Sequence, residues 1–425
     1  MIRRDTGHSW ISVRKMTSAS NWLTPRRIRA HAIVLAVCLW GVCAVDYSRL
    51  GLFDRAGNIK FQDFLQFPIS AHLIAQGRAA ELYVDQVLAE GIRELAGNTR
   101  VELKYFYGPQ VAWLFIPLGR FSFLTQAEIW TALSLFIYFG CIYLILKSCG
   151  TLNSNWKIVA LCALAYPPLF HFFVRGQLSA AILLFVTAAY LAFRAQHEWL
   201  AGMSLGFLIL KPQFLVAIPF VLLAARAWKP FAGLVIGAGA QLALTCFYFG
   251  RAVMRAYFTM LLHSASQPGS TELRLSPIQM HSLRTFWELL VPWPRGVWIF
   301  DLLTSIIVIA IAAAIWRSSN SLALRFSALL LAAVLVNPHI YIYDLLVLAP
   351  ALLLLADWSI KNTQHPSTPA LRVLLYLAFV LPLLGPLARW THVQLSVVVF
   401  VALLWILHRI ATPDQKLAFP ESAVV

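Results

Sequence analysis

Long apolar stretches separated by short polar ones dominate this chain. Runs at 30–48, 126–147, 157–174, 178–195, 230–249, 297–316, 321–337, 341–357, 369–388 and 392–410 carry few charges. A membrane crossing takes about twenty apolar residues, fewer where a helix is broken inside protein. The ten runs therefore predict membrane helices. Alternating strands of about ten residues, the mark of a transmembrane barrel, are absent. Residues 199–226 break the rule: two apolar halves flank Lys211-Pro212-Gln213, with Arg194 and His197 before them and Arg226 and Lys229 after. Either half is short for a crossing, so the segment either enters and leaves on one side or forms two short spans. Either way Lys211 sits deep in the membrane or near its outer face. A further stretch, 110–121, is too short to span and predicts an interfacial or re-entrant helix.

Two polar segments are long, 49–125 and 250–296, and no repeat or linker interrupts the rest. The expected fold class is all-α and polytopic, a single domain over 30–410 with about ten to twelve membrane helices and tails at 1–29 and 411–425. Composition agrees, with 60% hydrophobic and 12% charged residues against roughly a quarter charged in soluble domains. The mean hydropathy is +0.72.

The net charge of +16 raises nucleic acid as a partner, but the basic residues lie at the ends of apolar runs instead of on one face. That placement orients membrane helices and meets anionic headgroups, so membrane lipids are expected partners and nucleic acid is not. Arg3, Arg4, Arg14, Lys15, Arg26, Arg27 and Arg29 precede the first run and place the N-terminus in the cytoplasm. Alternation puts the C-terminus there too, and turns 49–125 and 250–296 outward. The first run lacks a small-residue cleavage site and is read as an uncleaved anchor. Six scattered cysteines without a C-x-x-C pair read as small core residues.

Ionisable groups at membrane depth are costly, about 2.5–3.5 kcal/mol at a helix centre on insertion scales, and so mark candidate sites. Asp63, in Phe61-Gln62-Asp63-Phe64, lies just beyond the first run with Asp46 and Asp54 as rivals. It is either a base seated against Phe61, Phe64 and Phe67 or the cap of a short helix over 64–76. Lys211, beside a helix-breaking proline, either offers an ammonium to a phosphate or snorkels to an interface. Gln213 shares that break. Asn337-Pro338-His339-Ile340-Tyr341-Ile342-Tyr343-Asp344 collects hydrogen-bonding groups for a hydroxylated ligand, with His339 able to exchange protons near neutral pH. Its plain alternative is a capped helix break with belt aromatics. Tyr105-Phe106-Tyr107-Gly108-Pro109 and Arg175-Gly176-Gln177 are shorter marks, suited to stacking on a sugar or isoprenoid and to holding a phosphate or hydroxyls. No Walker loop, G-x-G-x-x-G, D-x-D, H-E-x-x-H or serine elbow occurs, so no cofactor or metal is expected.

In order and spacing these marks resemble the bacterial membrane glycosyltransferases of family eighty-seven, of the GT-C fold class, which include mannosyltransferases that extend phosphatidylinositol mannosides. The resemblance covers roughly 55–350 and rests on several elements. They are Asp63-Phe64, Gly77, Leu82-Tyr83-Val84-Asp85, Tyr105 to Pro109, Pro117-Leu118, Gly176-Gln177, Lys211-Pro212-Gln213 and Pro338 to Asp344. One departure falls on Met280-His281-Ser282-Leu283-Arg284, where the family often carries Asn-Gln-Ser, and it bears on the acceptor.

The resemblance implies a hexosyltransferase, mannose among its possible sugars, using a polyprenyl-phosphate donor and a lipid or glycan acceptor on the outer face of the inner membrane. Asp63 is then the catalytic base of an inverting transfer, and Lys211 and Arg175 hold the donor phosphate. His339, Tyr341 and Tyr343 line the sugar site or relay a proton. Tyr105, Tyr107, Gly176, Gln177, Gln213 and Asp344 complete the expected substrate contacts. Two other readings stay open: a transporter or flippase of lipid-linked glycan, and a polysaccharide ligase relying on Arg274 and Arg284.

Overall fold

A computed structural model describes residues 23–97, 101, 103–266, 279–319 and 321–412; residues 1–22 of the predicted tail 1–29, residues 413–425 of the predicted tail 411–425, and Arg274 lie outside them. The described residues are helical, with only two isolated β-bridges, Phe53 with Ile59 and Met280 with Tyr341. Six helical stretches are long and apolar enough to cross a membrane, or seven with one bent pair, making this an all-α polytopic membrane protein.

Each of the ten predicted runs is helical. The first is α1 (Pro25–Tyr47), started by Pro25 and by Thr24, whose side chain accepts from the Arg27 N–H at 3.3 Å. In the outer segment lie α2 (Gln66–Ala75) and α3 (Asp85–Ala96), followed by α4 (Phe123–Ser148) across the membrane. The run at 157–174 is two helices, α5 (Trp156–Leu164) and α6 (Pro167–Arg175), bent by 48°. Pro167 and Pro168 cannot donate to the preceding turn, which breaks the helix there. Three runs form helices of 16, 14 and 17 residues: α7 (Ser179–Arg194), α13 (Leu322–Leu335) and α17 (Leu395–Ala411).

Between them run α8 (Glu198–Gly206), α9 (Ile218–Ala224) and the long α10 (Trp228–Ser266), kinked at Gly250 with φ 82°. There follow α11 (Leu283–Leu290), α12 (Pro294–Ser318), α14 (Ala349–Lys361), α15 (Thr368–Val380) and α16 (Ala388–Thr391). Residues 110–121 form two short 3-10 turns, 109–114 and 116–118, mostly buried at their start.

The unusual segment 199–226 folds as two halves, α8 with a 3-10 turn and a second 3-10 turn with α9, that meet at Lys211. Its outer ends lie together: Lys229 Nζ reaches Glu198 at 3.9 Å. The segment thus enters and leaves at one end of the bundle, the end where α1 begins. Close contact between α8 and α10 rests on glycine. A Cβ on Gly202 would stand 2.1 Å from the Pro230 carbonyl oxygen, and one on Gly237 2.5 Å from that of Met203. Gly206 and Gly233 are equally crowded by backbone, so two small-xxx-small faces let the helix axes approach.

Candidate functional site

The site lies at the other bundle end and begins with one unusual backbone turn. Phe61 adopts a left-handed conformation, φ 54° and ψ 41°, uncommon for a bulky residue. Its ring packs edge-on against Tyr47 at 5.3 Å and near Phe173 at 6.1 Å, and it is buried. Gly176 sits against this turn with φ +69°; a Cβ there would lie 2.9 Å from that of Phe64. Only glycine closes α6 so tightly upon the Asp63 turn. The alternative role of Asp63 as a helix cap does not hold, because its side chain caps neither the 3-10 turn at 62–65 nor α2.

Its carboxylate instead faces Arg175-Gly176-Gln177. Gln177 Nε2 donates to Asp63 Oδ2 at 2.7 Å, and Arg175 Nη1 donates to Oδ1 at 3.4 Å. Behind them, Tyr107 Oη donates to Gln177 Oε1 at 2.7 Å. Burial, with the Asp344 and Asp63 charges adding to it, raises the Tyr107 pKa well above its ordinary value, so the phenol keeps its proton. The rivals of Asp63 stand elsewhere: Asp54 Oδ1 accepts from the Asn58 N–H at 2.8 Å in a tight loop, and Asp46 is at the end of α1.

Lys211 is the second anchor, and here the geometry departs from expectation. Its ammonium does not face unpaired backbone groups; it pairs with Asp344 Oδ1, both side chains being nearly inaccessible. A lone ammonium so buried would cost several kcal/mol, which is why it has a counter-ion. Ser179 Oγ donates to the same Asp344 oxygen at 2.9 Å, and the other oxygen accepts from the Tyr341 N–H at 3.4 Å. Lys211 also lies 5.1 Å from the Tyr343 ring centre and 5.8 Å from that of Tyr107.

Between the two anchors is a cavity of about 450 Å³. Of the twelve expected residues ten line it: Asp63, Tyr107, Arg175, Gln177, Lys211, Gln213, His339, Tyr341, Tyr343 and Asp344. Tyr105 and Gly176 do not. Tyr105 is buried behind the wall, and Gly176 acts through its backbone turn. Tyr341 and Tyr343 stack at 5.2 Å, and His339 stands edge-on to Tyr341 at 5.1 Å, giving the cavity an aromatic side.

His339 also differs from expectation. Burial first, then the Lys211 and Arg284 charges, lower its pKa to about 4, so at neutral pH it is the neutral imidazole. It can accept or pass a proton but carries no charge. Two further histidines are on the wall: His171, not marked from sequence, and His281, marked there only within the departure at 280–284. The signal for His171 was legible: it lies four residues before Arg175 on α6 and so shares its face. His281 is brought in by pairing of 280–281 with 340–341, its N–H donating to the Ile340 carbonyl at 3.0 Å. Arg284 is off the wall, paired with Glu288 at 3.3 Å and covered by Trp298.

Among the described residues no three His, Cys, Asp or Glu side chains gather as a metal site requires. The arrangement holds a fixed carboxylate, a partly exposed guanidinium and an aromatic wall around a space for a small polar molecule. A family model described as glycosyltransferase family 87 matches residues 105–338. No curated protein and no solved structure matches the chain.

Proposed function

The chain belongs to glycosyltransferase family 87, and from that premise we propose that its cavity joins a sugar from a polyprenyl-phosphate donor to a lipid or glycan hydroxyl. Membership decides the class: the protein is a glycosyltransferase, and the transporter reading gives way. The observation that carries the finer reading is the grip of Gln177 and Arg175 on Asp63 at the cavity wall.

Asp63 is the general base. Two donors hold its carboxylate in place and aimed, and a carboxylate has lone pairs to spare for an acceptor hydroxyl. The hydroxyl oxygen attacks the anomeric carbon as its proton passes to Asp63, and the bond from that carbon to the phosphate oxygen breaks. Polyprenyl phosphate leaves with the electron pair, and the anomeric centre inverts. General-base help of this kind gives typically 10²–10⁴-fold.

Arg175 is the phosphate-facing cation. Its side chain is 35% exposed against 6% for Lys211, whose charge Asp344 already balances. Positive charge beside the leaving oxygen stabilises the charge that develops there. Lys211 and Asp344 hold the loop that carries Tyr341 and Tyr343, which together with neutral His339 frame the sugar. The site is assigned to the outer face of the inner membrane because the opposite bundle end carries Arg26, Arg27, Arg194, Arg226 and Lys229.

Asp63→Asn tests the reading. Transfer from a panel of polyprenyl-phosphate sugars, followed by product analysis, should fall at least a hundredfold, with donor binding kept. Near wild-type transfer by that variant ends the general-base role.

A further inference from the structure

A second cavity, about 430 Å³, shares no lining residue with the first and sits toward the end where α1 begins. Its walls are apolar and come from five helices: Ile28 of α1, Tyr138 of α4, Cys162 of α5, Ala356 of α14, and Leu375 and Phe379 of α15. Half-buried Ile158, Cys162 and Tyr376 bring it to the lipid-facing surface. Sugars find nothing to bond on such walls, whereas hydrocarbon fills them well.

The rim is different in kind. Arg372 lines the cavity, and its Nη2 donates to the Ser359 carbonyl at 2.9 Å, which fixes the guanidinium at the edge. His31 and Tyr376 hydrogen-bond at 2.9 Å across it and tie α1 to α15. Arg26 and Arg29 are exposed on the first turns of α1, and Lys157 is exposed at the start of α5. Two described acids at this end are already paired: Asp357 by Lys361 at 2.6 Å and by the backbone N–H groups of Thr151 and Leu152, and Glu198 by Lys229 at 3.9 Å. A hydrocarbon-lined space with a net cationic edge is complementary to one kind of molecule in a bilayer.

We propose that this cavity binds one anionic glycerophospholipid, with its phosphate at Arg372 and the basic start of α1 and acyl chain along the apolar walls. The bound lipid pins α1 to α5, α14 and α15. The proposal is independent of sugar transfer, since Ala356 and Arg372 lie outside the transfer cavity.

The test uses the full chain in mild detergent, stripped of lipid and then given phosphatidylglycerol or phosphatidylcholine with identical acyl chains. Native mass spectrometry counts retained lipids, and thermal unfolding reads the stabilisation. One phosphatidylglycerol should be retained at about tenfold lower concentration than phosphatidylcholine, with a raised Tm. Ala356→Trp should remove that lipid while keeping sugar transfer, and Arg372→Gln should abolish the headgroup preference. Retention by the Ala356→Trp variant, or equal retention of the two lipids, overturns the proposal. So does displacement by polyprenyl phosphate at equal concentration, or binding only after residues 1–22 are deleted.

Discussion

Gln177 donates to Asp63 at 2.7 Å although 114 positions separate them in the chain. The same amide accepts from Tyr107, so the carboxylate is aimed by a relay through three separate segments. On the proposed reading Gln177, which also lines the cavity, positions the base. A hydrogen bond to a charged group contributes about 1.5–3 kcal/mol, which is roughly ten- to a hundredfold in rate. Gln177→Leu should lower kcat by that factor with KM little changed. A variant whose kcat equals wild type would show that the relay does not aim the base.

The pairing of Lys211 with Asp344 predicts a non-additive cycle. Breaking a buried pair from one side costs about 3–5 kcal/mol, whereas replacing both partners by apolar groups is often neutral. Lys211→Met and Asp344→Leu should each lower Tm strongly, and the double variant should recover much of the loss. Simple addition of the two losses would contradict a coupled pair.

Acid should destabilise the fold through its buried histidines. Burial lowers the pKa of His339 to about 4 and that of His281 to about 3. Above pH 6.5 both are neutral, folded or unfolded, and contribute nothing. As the pH falls from 6.5 toward 4 the unfolded chain takes up protons that the folded chain refuses, so stability drops. Tm measured from pH 7.5 to 4.5 should decline, and His339→Gln should flatten part of that slope. An unchanged slope in the variant would assign the decline to other groups.

Crowding at the α8–α10 contact predicts a sharp contrast between glycines. Gly202→Leu drives a side chain into the Pro230 carbonyl and should destabilise by about 3 kcal/mol or more, beyond ordinary overpacking. Gly239→Ala on the same α10 has open space around it and should leave Tm unchanged or slightly raised. Equal effects would mean that α8 and α10 do not depend on close approach.

Much was legible in the chain before folding. The ten apolar runs all turned helical, but six helical stretches, or seven with the bent pair, are long and apolar enough to cross a membrane, against the ten to twelve crossings expected. The break at Lys211-Pro212-Gln213 was readable for a local reason, as proline cannot continue the ladder. Residue types at Asp63, Arg175, Gln177 and His339 marked chemistry because such groups are rare among apolar runs. The same reading assigned Tyr105 and Gly176 to substrate, since sequence separates a wall residue from the one behind it only when the packing is known.

Sequence alone thus marked the apolar helical runs, the all-α membrane class and most of the chemically able side chains, all properties of local composition. Tertiary structure decided the partnerships. It gave Lys211 a counter-ion, turned Phe61 left-handed against Gly176, and set Gln177 rather than a helix end beside Asp63. Those outcomes depend on which distant segments share space and on how deeply each charge is withdrawn from water. Neither quantity is written in any short stretch of residues.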